Sequence, residues 1–252
     1  MIKSIKNIIL FSFTVFALLA CDMFRIDNYP GPNASLNGGI RDVKTGALVP
    51  TDVHNGSRLL LQQLGEEWTT GTLTRVVMQD GQYRDDAFFA GRYHITFNNS
   101  NFFPHEIDEI VVNRGDNKID FVVEPYIRVN DVNIRQEGDE IVATFKLEGG
   151  RETVRLANIR LFAGTDIYVG DPFTYSIRSG SGHFISFSPV AVIDPDHEYR
   201  LTIDLTNEAN KEFFKFKRNY YFRVGAMASQ AGVGTIRRNY AQHTVINFNV
   251  PQ

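Results

Sequence analysis

Aromatic side chains set among glycine, asparagine and aspartate are the residues of this 252-residue chain best placed to do chemistry. A ring face held out of a core can stack on the apolar C–H face of a sugar ring, while nearby amides, arginines or aspartates bond its hydroxyls. Three stretches have that composition: Gly65-Glu66-Glu67-Trp68-Thr69-Thr70-Gly71, Asn98-Asn99-Ser100-Asn101-Phe102-Phe103, and Tyr168 to Tyr175 running on to Arg178. Arg237-Arg238-Asn239-Tyr240 is a lesser fourth. The candidate ligand contacts are therefore Tyr168, Phe173, Tyr175, Arg178, Trp68, Phe102, Phe103 and Tyr240. The Tyr168–Tyr175 loop ranks first, because it interrupts a series of strands with more residues than a simple turn needs. The competing reading of every one of these rings is that it closes the end of a β core.

Catalytic patterns are weaker. Ser179-Gly180-Ser181-Gly182-His183 is not a nucleophile elbow, since Ser181 lacks a glycine two residues away on either side. The six histidines are scattered and form no close ligand pair, and Asp194-Pro195-Asp196 lacks the repeated acidic spacing of a calcium loop. Gly232-Val233-Gly234 has Arg237 where a dinucleotide fingerprint needs its third glycine; it reads as a loop between the last two strands. Glu66-Glu67 and Asp85-Asp86 are sequence neighbours, so in a strand they point to opposite faces and cannot converge on a glycosidic bond. No catalytic residue, metal ligand set or cofactor is assigned, and an enzyme is not expected.

The single cysteine, Cys21, has a different chemistry. Lys3 and Lys6 precede an apolar run from Ile8 to Leu19 that is broken only by Ser12 and Thr14. The run is shorter than the ~20 residues of a membrane-spanning helix, so residues 1–20 read as a cleaved secretory signal. Its end, Leu18-Leu19-Ala20-Cys21, resembles a bacterial lipobox, which implies that Cys21 becomes a lipidated N-terminus. Acyl chains there give a stable membrane anchor. With one cysteine an intramolecular disulfide is excluded, and stability must come from packing. Net charge is −3, and −5 without Lys3 and Lys6; that balance excludes nucleic acid as a natural partner.

Residues 21–33, with Pro30-Gly31-Pro32, read as a tether. Beyond them short β-branched and aromatic runs alternate with Gly, Asn, Asp and Pro clusters, the mark of an all-β chain. In the first half the runs are Ser57 to Leu64, Leu73 to Gln79, Arg92 to Phe97, Ile107 to Val112 and Lys118 to Val123. Pro125 marks the boundary. About seven strands follow, the number of a simple immunoglobulin-like sandwich. In one of them Ile141, Ala143, Phe145 and Leu147 share a face. Asn207 to Lys217 is expected to form a turn or two of helix, with Phe213, Phe214 and Phe216 as its apolar side. The expected organisation is two consecutive β-sandwich domains, residues 34–125 and 126–252, after the signal peptide and tether.

Leu36-Asn37-Gly38-Gly39-Ile40-Arg41-Asp42-Val43-Lys44-Thr45-Gly46, with Asp80-Gly81-Gln82-Tyr83 and Phe89-Ala90-Gly91-Arg92-Tyr93, resembles carboxypeptidase-regulatory-like and transthyretin-like domains. Tyr220-Tyr221-Phe222-Arg223-Val224-Gly225-Ala226 resembles the penultimate strand of fibronectin type III sandwiches, where core and solvent residues alternate. Tyr199 and Tyr220 both suit a tyrosine corner, and Tyr220 is favoured because one strand remains after it. Asn33-Ala34-Ser35-Leu36-Asn37-Gly38, Val122-Val123-Glu124-Pro125-Tyr126 and Arg223-Val224-Gly225-Ala226 complete a resemblance to a Bacteroidetes outer-membrane lipoprotein family of unassigned function. That family is linked to starch-utilisation-type glycan uptake loci. The resemblance implies an outer-membrane, lipid-anchored, surface-exposed protein that binds polysaccharide or oligosaccharide. It also implies partners in an outer-membrane transporter and a substrate-binding lipoprotein. A fimbrial-type subunit, donating Thr244 to Val250 by strand exchange, is the alternative; a hydrolase is the least supported class.

Overall fold

The structure is a computed structural model and describes residues 31–65, 71–178, 180 and 182–248. Cys21, the signal peptide, most of the tether, Glu66-Glu67, Trp68, Ser179 and Ser181 lie outside the described residues.

The first sandwich has two sheets. One joins β1 (Ala34–Asp42) to β4 (Gln82–Phe88) on one side and to β7 (Gly115–Lys118) and β8 (Phe121–Val123) on the other. β1 runs antiparallel to β4 and parallel to β7 and β8. The second sheet has the order β3 (Thr72–Val76), β2 (Arg58–Leu64), β5 (Gly91–Asn98), β6 (Glu106–Val112). Leu36, Ile40, Leu59, Leu61, Phe88, Tyr93, Ile95 and Phe121 fill the space between. Alternation on each strand puts every second residue there, so burial of one face sets the register. Gly38 in β1 is obligatory: a Cβ there would lie 1.8 Å from the Ile119 carbonyl oxygen.

The second sandwich places β13 (Glu198–Asp204), β10 (Glu140–Gly149) and β9 (Ile127–Glu137) in one sheet. The other contains β12 (Phe184–Val192), β11 (Arg155–Gly164) and β14 (Asn219–Ser229), with β15 (Asn239–Tyr240) and β16 (Thr244–Asn247) both paired to β14. Ile141, Ala143, Phe145 and Leu147 are fully buried in its core, as their period of two requires. β16 pairs with β14 of its own sandwich, Asn219 opposite Asn247 through Phe222 opposite Thr244.

Among the described residues a single helix, α1 (Glu208–Phe214), starts where Asn207 accepts a bond from the Ala209 N–H at 3.0 Å. Phe214 is buried and Phe213 half-buried, but Phe216, expected on the same side, is 58% exposed. The helix ends at Phe214, so Phe216 no longer shares its face. Tyr220 forms the tyrosine corner: its hydroxyl donates to the Phe216 carbonyl at 3.0 Å and accepts from the Phe216 N–H at 3.2 Å. Tyr199 instead stacks on Phe145.

The two sandwiches meet through polar groups. Arg128 in β9 bonds Asp42 in β1. Asn239 donates to the Asn101 carbonyl at 2.7 Å and accepts from the Ile127 N–H at 3.1 Å. Arg223 is fully buried, although strict alternation with Phe222 and Val224 would turn it outward. It donates to the carbonyls of Ala241 (2.7 Å) and Gln79 (3.2 Å), and its guanidinium lies 4.2 Å from the Tyr240 ring centre. Burial pushes its pKa down to about 10. The first sandwich covers that face of the sheet, which is why the simple alternation fails.

Candidate ligand-binding site

The long connection from β11 to β12 is shaped by bonds at its stem. Tyr175 N–H and the Thr174 hydroxyl both donate to the Ala163 carbonyl, at 2.8 and 3.1 Å, and Ala163 N–H donates to Thr174 Oγ1 at 3.2 Å. Within it, Gly170 N–H donates to the Phe173 carbonyl at 3.0 Å, and Tyr168 N–H to Asp166 Oδ1 at 3.0 Å. Val169 is buried against Phe162 and Tyr240. The first sandwich braces the outer side. Gln79 Nε2 donates to the Ile167 carbonyl at 2.5 Å, and the His54 ring meets Phe173 edge-on at 4.8 Å. A Cβ at Gly170 would lie 2.3 Å from Asp52 Oδ2, so the loop and the first domain approach as closely as glycine permits.

On this braced loop Tyr168 is 49% and Phe173 53% exposed. They border a depression of about 430 Å³ lined by residues 164–166, 168, 169 and 172–175. Tyr175 forms an inner wall, half-buried and stacked on Phe213 at 4.7 Å, and burial raises the pKa of its hydroxyl. Asp166 is the one carboxylate on the described lining, so no acid pair converges there. The arrangement offers two half-exposed rings, a hydroxyl and one carboxylate, which suits stacking and hydrogen bonding of a sugar.

The other predicted contacts are placed elsewhere. Arg178 is exposed just past the loop and is tied through its N–H to Asn210 Oδ1 at 3.0 Å. Phe102, Phe103 and Tyr240, expected in open loops, are instead buried. Phe102 packs on Phe97 in the first core. Phe103 belongs to the second core, against Tyr126, with the Arg151 guanidinium 3.7 Å from its ring centre. Tyr240 is held between Phe162 and the buried Arg223, and bonds Asp171. Trp68 is among the residues not described.

Sequence spacing could not reveal two further features. A cleft of about 600 Å³ opens at the domain junction, with Asp42, Asn130, Asn239 and His243 on its walls, drawn from separate parts of the chain. The β5–β6 pairing gathers His94, Glu106 and Asp108, whose ligand atoms lie within 4.8 Å of one another; His94 Nε2 already sits 3.1 Å from Glu106. Asp85 and Asp86 point apart, toward Arg75 and Arg84 respectively, as strand geometry requires.

Residues 34–124 match a family described as protein of unknown function (DUF3823), N-terminal domain, and residues 127–241 match a domain of unknown function, DUF3823_C. Among solved structures, the chain is 40% identical to a protein from Bacteroides uniformis named as a candidate carbohydrate binding protein. That match covers 86% of this chain and 100% of the other, with a TM-score of 0.81. DUF3823 family proteins from Bacteroides ovatus (21% identity, 85% and 98% covered, TM-score 0.67) and Parabacteroides merdae (18%, 86% and 100%, 0.66) share the fold. No curated protein matches.

Proposed function

This chain belongs to the DUF3823 family, and we propose that it captures carbohydrate at a cell surface by stacking sugar rings on Tyr168 and Phe173. The observation that carries this reading is the pair of half-exposed rings around one depression, on a loop hydrogen-bonded to both sandwiches. Apolar rings of this size are costly to leave in water, and a preformed platform spares the ligand the cost of ordering it. The 40%-identical relative named as a candidate carbohydrate binding protein supports the same ligand class. The reaction is capture, not catalysis. Cys21 supplies a lipid anchor to the outer membrane, the first sandwich acts as a spacer, and the captured glycan passes to an outer-membrane transporter and its substrate-binding lipoprotein.

The strand-exchange alternative is weakened by the internal pairing of β16 with β14. Affinity electrophoresis and calorimetry against a polysaccharide panel test the proposal. Binding to at least one polymer, lost in both Tyr168→Ala and Phe173→Ala with unchanged melting, is expected. Failure to bind every member sinks it. Protease shaving of intact cells tests the surface placement.

A further inference from the structure

We infer that the carbohydrate taken by this site is acidic, carrying a uronate carboxylate or a sulfate ester, and that Arg160 beside the loop receives that group. The inference rests on the carbohydrate reading above. Arg160 lies in β11 directly opposite Phe184 of β12 and Gly225 of β14. Directly paired residues share one face of a sheet. The bare Gly225 leaves room for Arg238: a Cβ there would lie 2.4 Å from Arg238 Cδ. Two guanidiniums therefore crowd one aromatic ring, with Arg160 4.9 Å and Arg238 5.4 Å from the centre of Phe162.

Among the described residues one carboxylate, Asp171, faces both, and its closer bonds go elsewhere. Its Oδ2 accepts from Arg238 Nε at 2.9 Å and from the Tyr240 hydroxyl at 3.2 Å. Arg238 has a second partner in Asn158 Oδ1 at 2.7 Å. Arg160 Nη1 is 3.9 Å from Asp171 Oδ1, too far for a hydrogen bond. Its Nε is buried with no partner, as is Nδ1 of the adjacent, 7%-exposed His183. Burial, with Arg238 adding to it against the pull of Asp171, holds the Arg160 pKa down; burial and then Arg160 lower that of His183. Two guanidiniums therefore share Asp171, and Arg160 is the more loosely held of the two.

That cation is reachable. A quarter of the Arg160 side chain, 26%, remains accessible. Phe184, its cross-strand neighbour, is 46% exposed, and Phe173 stands two residues from Asp171. A guanidinium whose terminal nitrogens make no hydrogen bond among the described residues, across the strand from the exposed Phe184, matches a sugar that brings its own carboxylate or sulfate. A neutral hydroxyl could accept a bond there but would not balance the charge.

Calorimetry with polygalacturonate, dextran sulfate and neutral dextran separates the possibilities. The wild-type chain should bind one or both acidic polymers, more weakly at high salt, and prefer them to dextran. Polygalacturonate alone identifies a uronate, dextran sulfate alone a sulfate ester. Arg160→Gln should lose about tenfold or more in affinity for the acidic polymer. Arg160→Lys, which keeps the charge but not the fork, should retain the preference at reduced affinity even if the glutamine variant folds poorly. Equal binding of dextran, or an acidic preference untouched in both variants, overturns this inference while leaving carbohydrate capture standing. Binding of no polymer, neutral or acidic, overturns both.

Discussion

Arg128 grips Asp42 with two parallel bonds, Nε to Oδ2 at 2.6 Å and Nη2 to Oδ1 at 2.7 Å, across the boundary between the sandwiches. Both side chains are nearly buried, at 7% and 6% exposure, and Glu148 adds a third contact to Arg128 at 3.1 Å. Asp42 also accepts from the Lys44 N–H and the Thr45 hydroxyl, so one carboxylate shapes a turn and joins two domains. Removing one member of such a pair strands the other charge, which costs ~3–5 kcal/mol. Arg128→Ala should therefore lower stability by that order in urea unfolding. It should also open the segment around Pro125 to protease. The double replacement Asp42→Leu, Arg128→Met should be milder than either single change, because no charge is left unpaired.

The same pair sets a pH dependence. Burial alone would raise the Asp42 pKa. The bonds from Arg128, Lys44 N–H and Thr45, with the charge of Arg128, outweigh it and hold the pKa below 3.8. The unfolded chain, with Asp near 3.9, then binds protons more readily than the folded one. The stabilisation is complete above about pH 4 and is lost as pH falls from there through the folded value. The stability gap between wild type and Asp42→Asn should be full at pH 7 and shrink below pH 4. Urea titrations at both ends check this; an unchanged gap at low pH contradicts it.

What was legible in the sequence was whatever one sheet or one turn decides. Ile141, Ala143, Phe145 and Leu147 declare a buried face by period alone, and Asn207 declares a helix start by its side chain. The burial of Arg223, Phe103 and Tyr240 has no local signal, because it is imposed from a distance. Arg223 is capped by Gln79 of the other sandwich, and Phe103 leaves the first domain to pack in the second core. The site shows the same split. Tyr168 and Phe173 stand out as aromatics in a polar loop. The meeting of Asp171 with Arg238, 67 residues later, depends on the β14–β15 pairing and has no local signal.

Gly225 tests that packing. A Cβ added there would stand 2.4 Å from Arg238 Cδ and 3.0 Å from both the Phe162 and Tyr240 rings. None of these buried groups can yield freely, so Gly225→Ala should cost ~1–3 kcal/mol by overpacking. Gly234, with nothing within 4 Å, is the control. Its alanine variant should change stability by less than ~0.5 kcal/mol. Paired thermal melts compare them, and equal shifts would refute the steric account.

Tyr220 tests the corner. Its ring is fully buried against Phe214 and Phe248, while its hydroxyl satisfies both the N–H and the carbonyl of Phe216. Tyr220→Phe keeps the packing and removes only that oxygen. Two backbone groups then lose their partner, at ~1–3 kcal/mol where water cannot replace it. Tyr199 supplies the comparison: its ring stacks on Phe145, and the described residues give its hydroxyl no counterpart of the Phe216 bonds. Tyr199→Phe should lose clearly less. The bonds also fix the approach of the chain from α1 into β14, so hydrogen exchange at residues 215–219 should quicken in Tyr220→Phe and not in Tyr199→Phe. Equal losses in the two variants, or unchanged exchange in that segment, would mean that Tyr220 contributes through its ring alone.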